Sequence, residues 1–287
     1  MGRFMLTTDR RGFLGAVAAA ACLPTAAESP SPTDGTVLRI AHCADPQFGH
    51  SQPRDAKNRR TEEGYRKDLE KCEREIEALN AIDLDLVYFA GDMVHDLHDM
   101  ERDWPRLLRK LRHRWTVAPG NHDMGNRLTA ENVERFVSVF GRECESISLK
   151  GWRIIVANSQ YWKPTDEAQM AARHREWFDG EIASAKAAGE KIVIATHIPP
   201  YLSLPTEPES FNSSPREGRL EKMSGYIRAG ARFWLCGHTH TMLQRAWKSL
   251  HILNAETTSN SFDARPPGFR LLVARQDGTF SWNFHQV

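Results

Sequence analysis

Five short stretches of this chain combine carboxylate, amide and imidazole groups in a way that could hold metal ions. They are Asp45-Pro46-Gln47, Gly91-Asp92, Gly120-Asn121-His122-Asp123, Thr196-His197 and Gly237-His238-Thr239-His240. Oxygen and nitrogen donors without thiolate suit Mn, Fe, Zn or Mg, and donor type alone does not choose among them. Taken singly each stretch is weak, because a lone histidine after a strand is more often hydrogen-bonded than ligating. Four of the five, however, follow directly on a short apolar run. Side chains at the carboxyl ends of neighbouring strands converge in one crevice of an open α/β sheet, and the glycines let the backbone turn sharply off each strand.

The elements that must position these groups follow from periodicity. Short apolar runs at 37–42, 84–90, 115–118, 191–196 and 232–236 fit buried strands. Tyr65, Leu69, Cys72, Ile76 and Leu79 recur at spacings of three and four, which predicts an amphipathic helix over 61–82. Further helices are expected at 104–111, 130–140 and 167–188, and a hairpin over 147–157 turning near Lys150-Gly151. Segments 242–255 and 269–284 read as antiparallel strand pairs. Helices separate strands early and strands run together late, so the expected architecture is a layered α/β sandwich. In it, strand–helix units feed one sheet and the C-terminal strands supply a second sheet packed on the first. Residues 199–219, rich in proline and without periodicity, read as a long ordered loop.

The 38 Lys and Arg residues are balanced by 37 Asp and Glu, which leaves no global field to hold nucleic acid or an anionic membrane. With 12 histidines and five cysteines the chain is neither a disulfide scaffold nor a thiolate zinc protein. Cys43 and Cys236 read as small buried hydrophobes; Cys72 and Cys144 could pair in an oxidising compartment. Residues 1–27 resemble a twin-arginine signal peptide: Arg10-Arg11, a short apolar run, then small residues at Thr25 and Ala27. That implies the twin-arginine export machinery as a partner, a periplasmic or extracellular location, and no transmembrane segment in the mature protein. Cys22 leaves lipid anchoring open as a lesser alternative. Residues 28–36 read as a linker and 37–287 as one catalytic domain.

Together and in this order, the five motifs from Asp45 to His240 resemble the calcineurin-like metallophosphoesterase superfamily. The resemblance implies a four-layer α/β/β/α sandwich of two mixed sheets flanked by helices. It also implies two divalent metal ions: one held by Asp45, Gln47 and His240, a second by Asn121, His197 and His238, with Asp92 bridging. Such a pair, about 3.5 to 4 Å apart, generates a bridging hydroxide that attacks the phosphate ester directly. By the same resemblance His122 donates a proton to the leaving group and Asp123 holds its ring, while His95 and Asp96 are candidate supporting residues. Gln47 departs from the usual Asp-x-His pattern; a neutral oxygen donor there favours harder ions, Mn above all, and disfavours Zn.

Asp45-Pro46-Gln47-Phe48-Gly49 together with Asn158-Ser159-Gln160-Tyr161 is similar to the branch called calcineurin-like phosphoesterase domain-containing proteins, in which Gln is accepted. The substrate implied is a phosphorylated small molecule or phosphoprotein, cleaved by a phosphomonoesterase. A phosphodiesterase or nucleotidase on the same centre is an alternative; a catalytically silent metal-binding envelope protein is another, disfavoured by the retained ligands and His122. Arg54, Lys57, Arg59 and Arg60, the 199–219 loop, and Tyr161 and Trp162 are candidates for substrate contact.

Overall fold

The computed structural model describes residues 37–287; the expected signal peptide, its Cys22 and the linker lie outside the described residues. Strand β1 (Val37–Cys43) is followed by α1 (Glu62–Asn80), β2 (Leu86–Phe89), α2 (Met100–Lys110), β3 (Trp115–Val117) and α3 (Ala130–Phe140). The hairpin β4 (Glu145–Leu149) and β5 (Trp152–Val156) leads to α4 (Ala168–Ala187), β6 (Lys191–Ala195), α5 (Arg219–Ala229) and β7 (Ala231–Cys236). The chain ends in β8 (Leu243–Trp247), β9 (Leu250–Asn254), β10 (Gly268–Arg275) and β11 (Phe280–Gln286). Helix α1 starts where the Thr61 hydroxyl accepts the Gly64 amide, an ordinary N-cap.

Two mixed sheets result, in the orders β11-β10-β1-β2-β3 and β4-β5-β6-β7-β9-β8. Alternation along β1 divides its side chains between two layers. Leu38 and Ile40 join Leu86, Ile154, Val193 and Phe233 in the core between the sheets. Ala41 and Cys43 face the other way, onto Tyr65, Cys72 and Ile76 of α1 and Trp104 of α2. On the outer face of the second sheet, Ile194 and Trp234 pack under Phe178 and Ile182 of α4 and Met223 of α5. The layers are therefore α/β/β/α. No helix among the described residues is long and apolar enough to cross a membrane.

Three expectations are corrected. The C-terminal hairpin does not belong to the second sheet: β10 pairs antiparallel with β1, from Val37 opposite Arg275 to His42 opposite Arg270, closing the free edge of the first sheet. The second sheet is built instead from the middle strands β4 to β9. Helix α5 was not anticipated, because it starts at Gly218, which offers no capping side chain, and carries Ser224 and Gly225 in its interior. Cys72 is a free, buried thiol in the α1 core, so it does not pair with Cys144.

Candidate metal centre

The parallel strands β1, β2 and β3 of one sheet and β6 and β7 of the other end at a common crevice. Asp45 and Gln47 follow β1, Asp92 follows β2, Asn121 follows β3, His197 follows β6, and His238 and His240 follow β7. All seven are buried. Five of them, Asp45, Gln47, Asp92, His238 and His240, have left-handed backbones with φ between 35° and 75°. Each such conformation costs a non-glycine residue on the order of 1 kcal/mol or more, and such strain clusters where side chains must be aimed at a site.

The loops are stitched together through these same residues. The Gln47 amide donates to the Asp92 carbonyl at 2.9 Å, the His122 amide to Asp92 Oδ1 at 2.8 Å, and the His238 amide to both Asp45 carboxylate oxygens at 2.9 and 3.1 Å. Two glycines are obligatory neighbours. A Cβ on Gly120 would collide with Asp92 Oδ1 and its amide, and one on Gly237 would come within 2.7 Å of Asp45 Oδ2. Thr257 and Ser259, just beyond β9, both donate their hydroxyls to the Asp45 carbonyl at 2.8 Å. Nothing in their spacing marks them from sequence, because their partner lies more than 200 residues earlier.

What the cluster offers is acceptors. His197 Nδ1 lies 2.6 Å from the Ala90 carbonyl, His238 Nε2 3.2 Å from that of Phe211, and His240 Nδ1 2.8 Å from that of Asn260. A carbonyl only accepts, so each of these nitrogens carries the proton, and each neutral ring presents its other nitrogen as a lone pair. Asn121 likewise spends Nδ2 on Asn126 Oδ1 at 2.7 Å, which aims its Oδ1 inward. His197 Nε2 then sits 3.0 Å from His238 Nδ1, 3.1 Å from Asn121 Oδ1 and 3.3 Å from Asp92 Oδ2. His240 Nε2 is 3.7 Å from Asp45 Oδ1. Gln47 Oε1 is buried with no partner.

Lone pairs and carboxylates so close together repel unless a cation lies among them. Two overlapping groups have ligand atoms within 4.8 Å of one another: Asp92, His197 and His238, and Asp45, Asp92 and His240. Asp92 is common to both. The residues present therefore fit two divalent cations sharing one carboxylate. Without a cation only protons can relieve the repulsion. Burial opposes charging His197, but the Asp92 carboxylate outweighs it and raises the imidazole to about 9, while burial and His197 push His238 down to about 3. Burial also works to raise Asp92, yet His197 prevails and holds that carboxyl well below its ordinary value.

The surrounding residues divide differently from expectation. The His122 ring is partly exposed, stacks on His95 with centroids 4.7 Å apart, and donates Nδ1–H to the His95 carbonyl at 2.8 Å. Asp123 does not hold that ring. Its fully buried carboxylate accepts from the amides of Met93 and Gly120, both at 2.8 Å, tying the loop after β3 to the loop after β2. Burial, with Asp92 nearby, raises it to about 7. Asp96 turns away to accept from the His98 amide. Of the four basic residues after the first motif only Arg54 reaches the centre's surroundings, donating to His95 Nε2 at 2.9 Å; Arg59 pairs with Asp55 and Arg60 with Asp99. Tyr161 is core, its hydroxyl on Glu143.

A model of calcineurin-like phosphoesterases matches residues 38–242, which contain all seven candidate ligands and His122. The chain belongs to the calcineurin-like phosphoesterase family. It is accordingly a phosphoester hydrolase, of a family that binds a dinuclear metal centre. This phosphoesterase is 24% identical over 246 residues to human serine/threonine-protein phosphatase CPPED1, covering 80% of this chain and 78% of the relative. It is 22% identical to the Escherichia coli 3',5'-cyclic adenosine monophosphate phosphodiesterase CpdA, covering 71% and 75%. Among solved structures, a dimetal phosphatase from Danio rerio superposes with a TM-score of 0.56 at 13% identity, over 88% of this chain and all of the other. That likeness establishes the shared fold.

Proposed function

We propose that this phosphoesterase is a phosphomonoesterase in which Asp45, Gln47 and His240 hold one divalent cation, Asn121, His197 and His238 hold the other, and Asp92 bridges them. The observation that carries the assignment is the acceptor-only cluster: three rings with their protons spent on carbonyls, two carboxylates, and two inward amide oxygens. When bound, the cations supply an activated water nucleophile and neutralise charge on the phosphoryl oxygens. The chain's own part is to fix that geometry in a buried crevice and to provide a proton. His122 has Nδ1 anchored on His95, and in the imidazolium form its Nε2–H would protonate the departing ester oxygen.

The oxygen donor at Gln47 favours Mn at the first position. Monoester over diester is supported by the longer match to the phosphatase relative than to the phosphodiesterase, and the DPQFG and NSQY motifs support membership of the branch of calcineurin-like phosphoesterase domain-containing proteins. The Arg10-Arg11 segment supports twin-arginine export to the periplasm or beyond, with 1–27 as signal, 28–36 as linker and 37–287 as the catalytic domain.

The test is metal analysis of purified protein together with hydrolysis of a monoester and a diester after reconstitution with Mn, Fe, Zn or Mg. Two ions per chain and monoester turnover support the reading; a single ion, or turnover of the diester alone, overturns it.

A further inference from the structure

Two interactions hold the His122 ring, and both are made by His95. The Nδ1–H of His122 meets the His95 carbonyl, and the two rings stack with centroids 4.7 Å apart at 28°. The hydrogen bond selects which nitrogen faces outward, but a ring can still tilt about one bond. The stacked face removes that freedom only where the His95 ring is itself fixed. The Nδ1 of His95 is buried without a partner, and the ring also stacks on His50, with centroids 5.5 Å apart. Stacked rings tolerate a wide range of offsets and tilts. The polar contact that fixes the His95 ring is therefore the one from Arg54, whose Nη2 lies 2.9 Å from His95 Nε2.

Arg54 is half-buried in the loop after β1. Its Nη1 donates to the carbonyls of Gly49 and His50 at 3.0 and 3.2 Å, and its Nε to that of Asn58 at 2.9 Å. With the bond to His95, four of its five N–H groups are spent, which leaves no fork for a phosphate. A guanidinium only donates, so His95 Nε2 accepts and the neutral ring carries its proton on Nδ1. Burial, with His122 and Arg54 nearby, pushes His95 down to about 4, which keeps that ring neutral. Arg54, read from sequence as a substrate contact, is thus committed to the surroundings of the proton donor.

We infer that Arg54 is a positioning residue for the proton transfer: its guanidinium fixes the His95 ring, which in turn stops His122 from tilting away from the leaving group. The inference rests on the proton-donor role proposed for His122. A misplacement of about 1 Å costs a reacting group roughly 10²-fold, so Arg54 acts on the rate without touching the substrate.

The experiment measures kcat and KM for 4-nitrophenyl phosphate and phenyl phosphate with the Mn-loaded parent, Arg54→Met, His122→Ala and the double variant. The two esters are close in shape, but nitrophenolate leaves as a stable anion while phenolate needs a proton. Arg54→Met keeps the stem and removes the donors. It lowers kcat on phenyl phosphate by about ten- to a hundredfold, spares 4-nitrophenyl phosphate, leaves KM unchanged, and adds no further loss to His122→Ala. Arg54→Lys, whose single ammonium has no second arm for His95, shows the same selective loss and decides the matter if the Met variant folds poorly. A readout independent of turnover is the NMR of the His95 ring nitrogens in Mg-loaded protein: the Nδ1–H tautomer in the parent becomes a mixture in Arg54→Met. Equal losses on both esters, additive losses in the double variant, or a His95 tautomer indifferent to Arg54 overturn the inference alone. A KM raised on both esters marks a direct substrate contact and overturns it as well. Hydrolysis of neither ester by the parent overturns the hydrolytic reading, and this inference with it.

Discussion

The ring of His122 is anchored by the main-chain carbonyl of His95, 2.8 Å from its Nδ1, and the adjacent Asp123 carboxylate takes no part in holding it. A main-chain carbonyl fixes the ring's orientation and tautomer without adding a negative charge beside it. On the proposed mechanism, Nε2 is then the nitrogen that passes a proton to the leaving group.

The first prediction separates these two neighbours. His122→Ala lowers kcat on a poor leaving group by about 10²- to 10⁴-fold while two metal ions still bind. Asp123→Asn lowers thermal stability instead, by on the order of 1–3 kcal/mol, because the asparagine keeps one acceptor oxygen for two amides and sets an NH2 donor against the other. Metal analysis and thermal melts of both variants check this; a His122 variant that melts early and an Asp123 variant that is stable but inactive would reverse the assignment.

The second concerns the shared carboxylate. Asp92→Asn removes the only group common to both ligand clusters, so both ions are lost or weakened together, and metal content falls from two per chain to below one. Retention of one tightly held ion in this variant is the outcome that counts against bridging.

A third follows from Gln47, whose Oε1 has no protein partner. Gln47→His substitutes an imidazole for the amide oxygen and shifts preference from Mn toward Zn by about tenfold or more, in line with the softer donor. Competition between the two metals, measured by elemental analysis at equilibrium, reads the shift directly.

A fourth is a pH effect on stability. Burial raises the Glu75 carboxyl to about 7 from an ordinary value of 4.5, although hydrogen bonds from Thr258 and Cys43 work against it. The folded protein thus keeps this proton over a range in which the unfolded chain has lost it. The resulting stability is fully present below pH 4.5 and is lost as pH rises through 7, a change on the order of 3 kcal/mol. Glu75→Gln removes that slope. Denaturant unfolding of variant and parent between pH 4.5 and 8, taken as a difference so that other titrating groups cancel, should show the variant gaining on the parent as pH rises.

The candidate ligands' positions at strand ends were legible in the sequence because they are local: a polar residue one or two positions past an apolar run sits at a strand end wherever that strand goes. Strand and helix positions from β1 to β9, α5 apart, follow from the same local periodicity. Tertiary structure alone decided which strands share a sheet, since the edge of β1 accepts β10 through contacts more than 200 residues apart in sequence. It also decided that Asp123 braces two loops, that Thr257 and Ser259 clamp Asp45, and that Arg54 meets the His95 ring. Spacing encodes the direction of a side chain relative to its own strand or helix. The partner it meets across the fold is set by the packing of distant segments, and no local pattern carries that information.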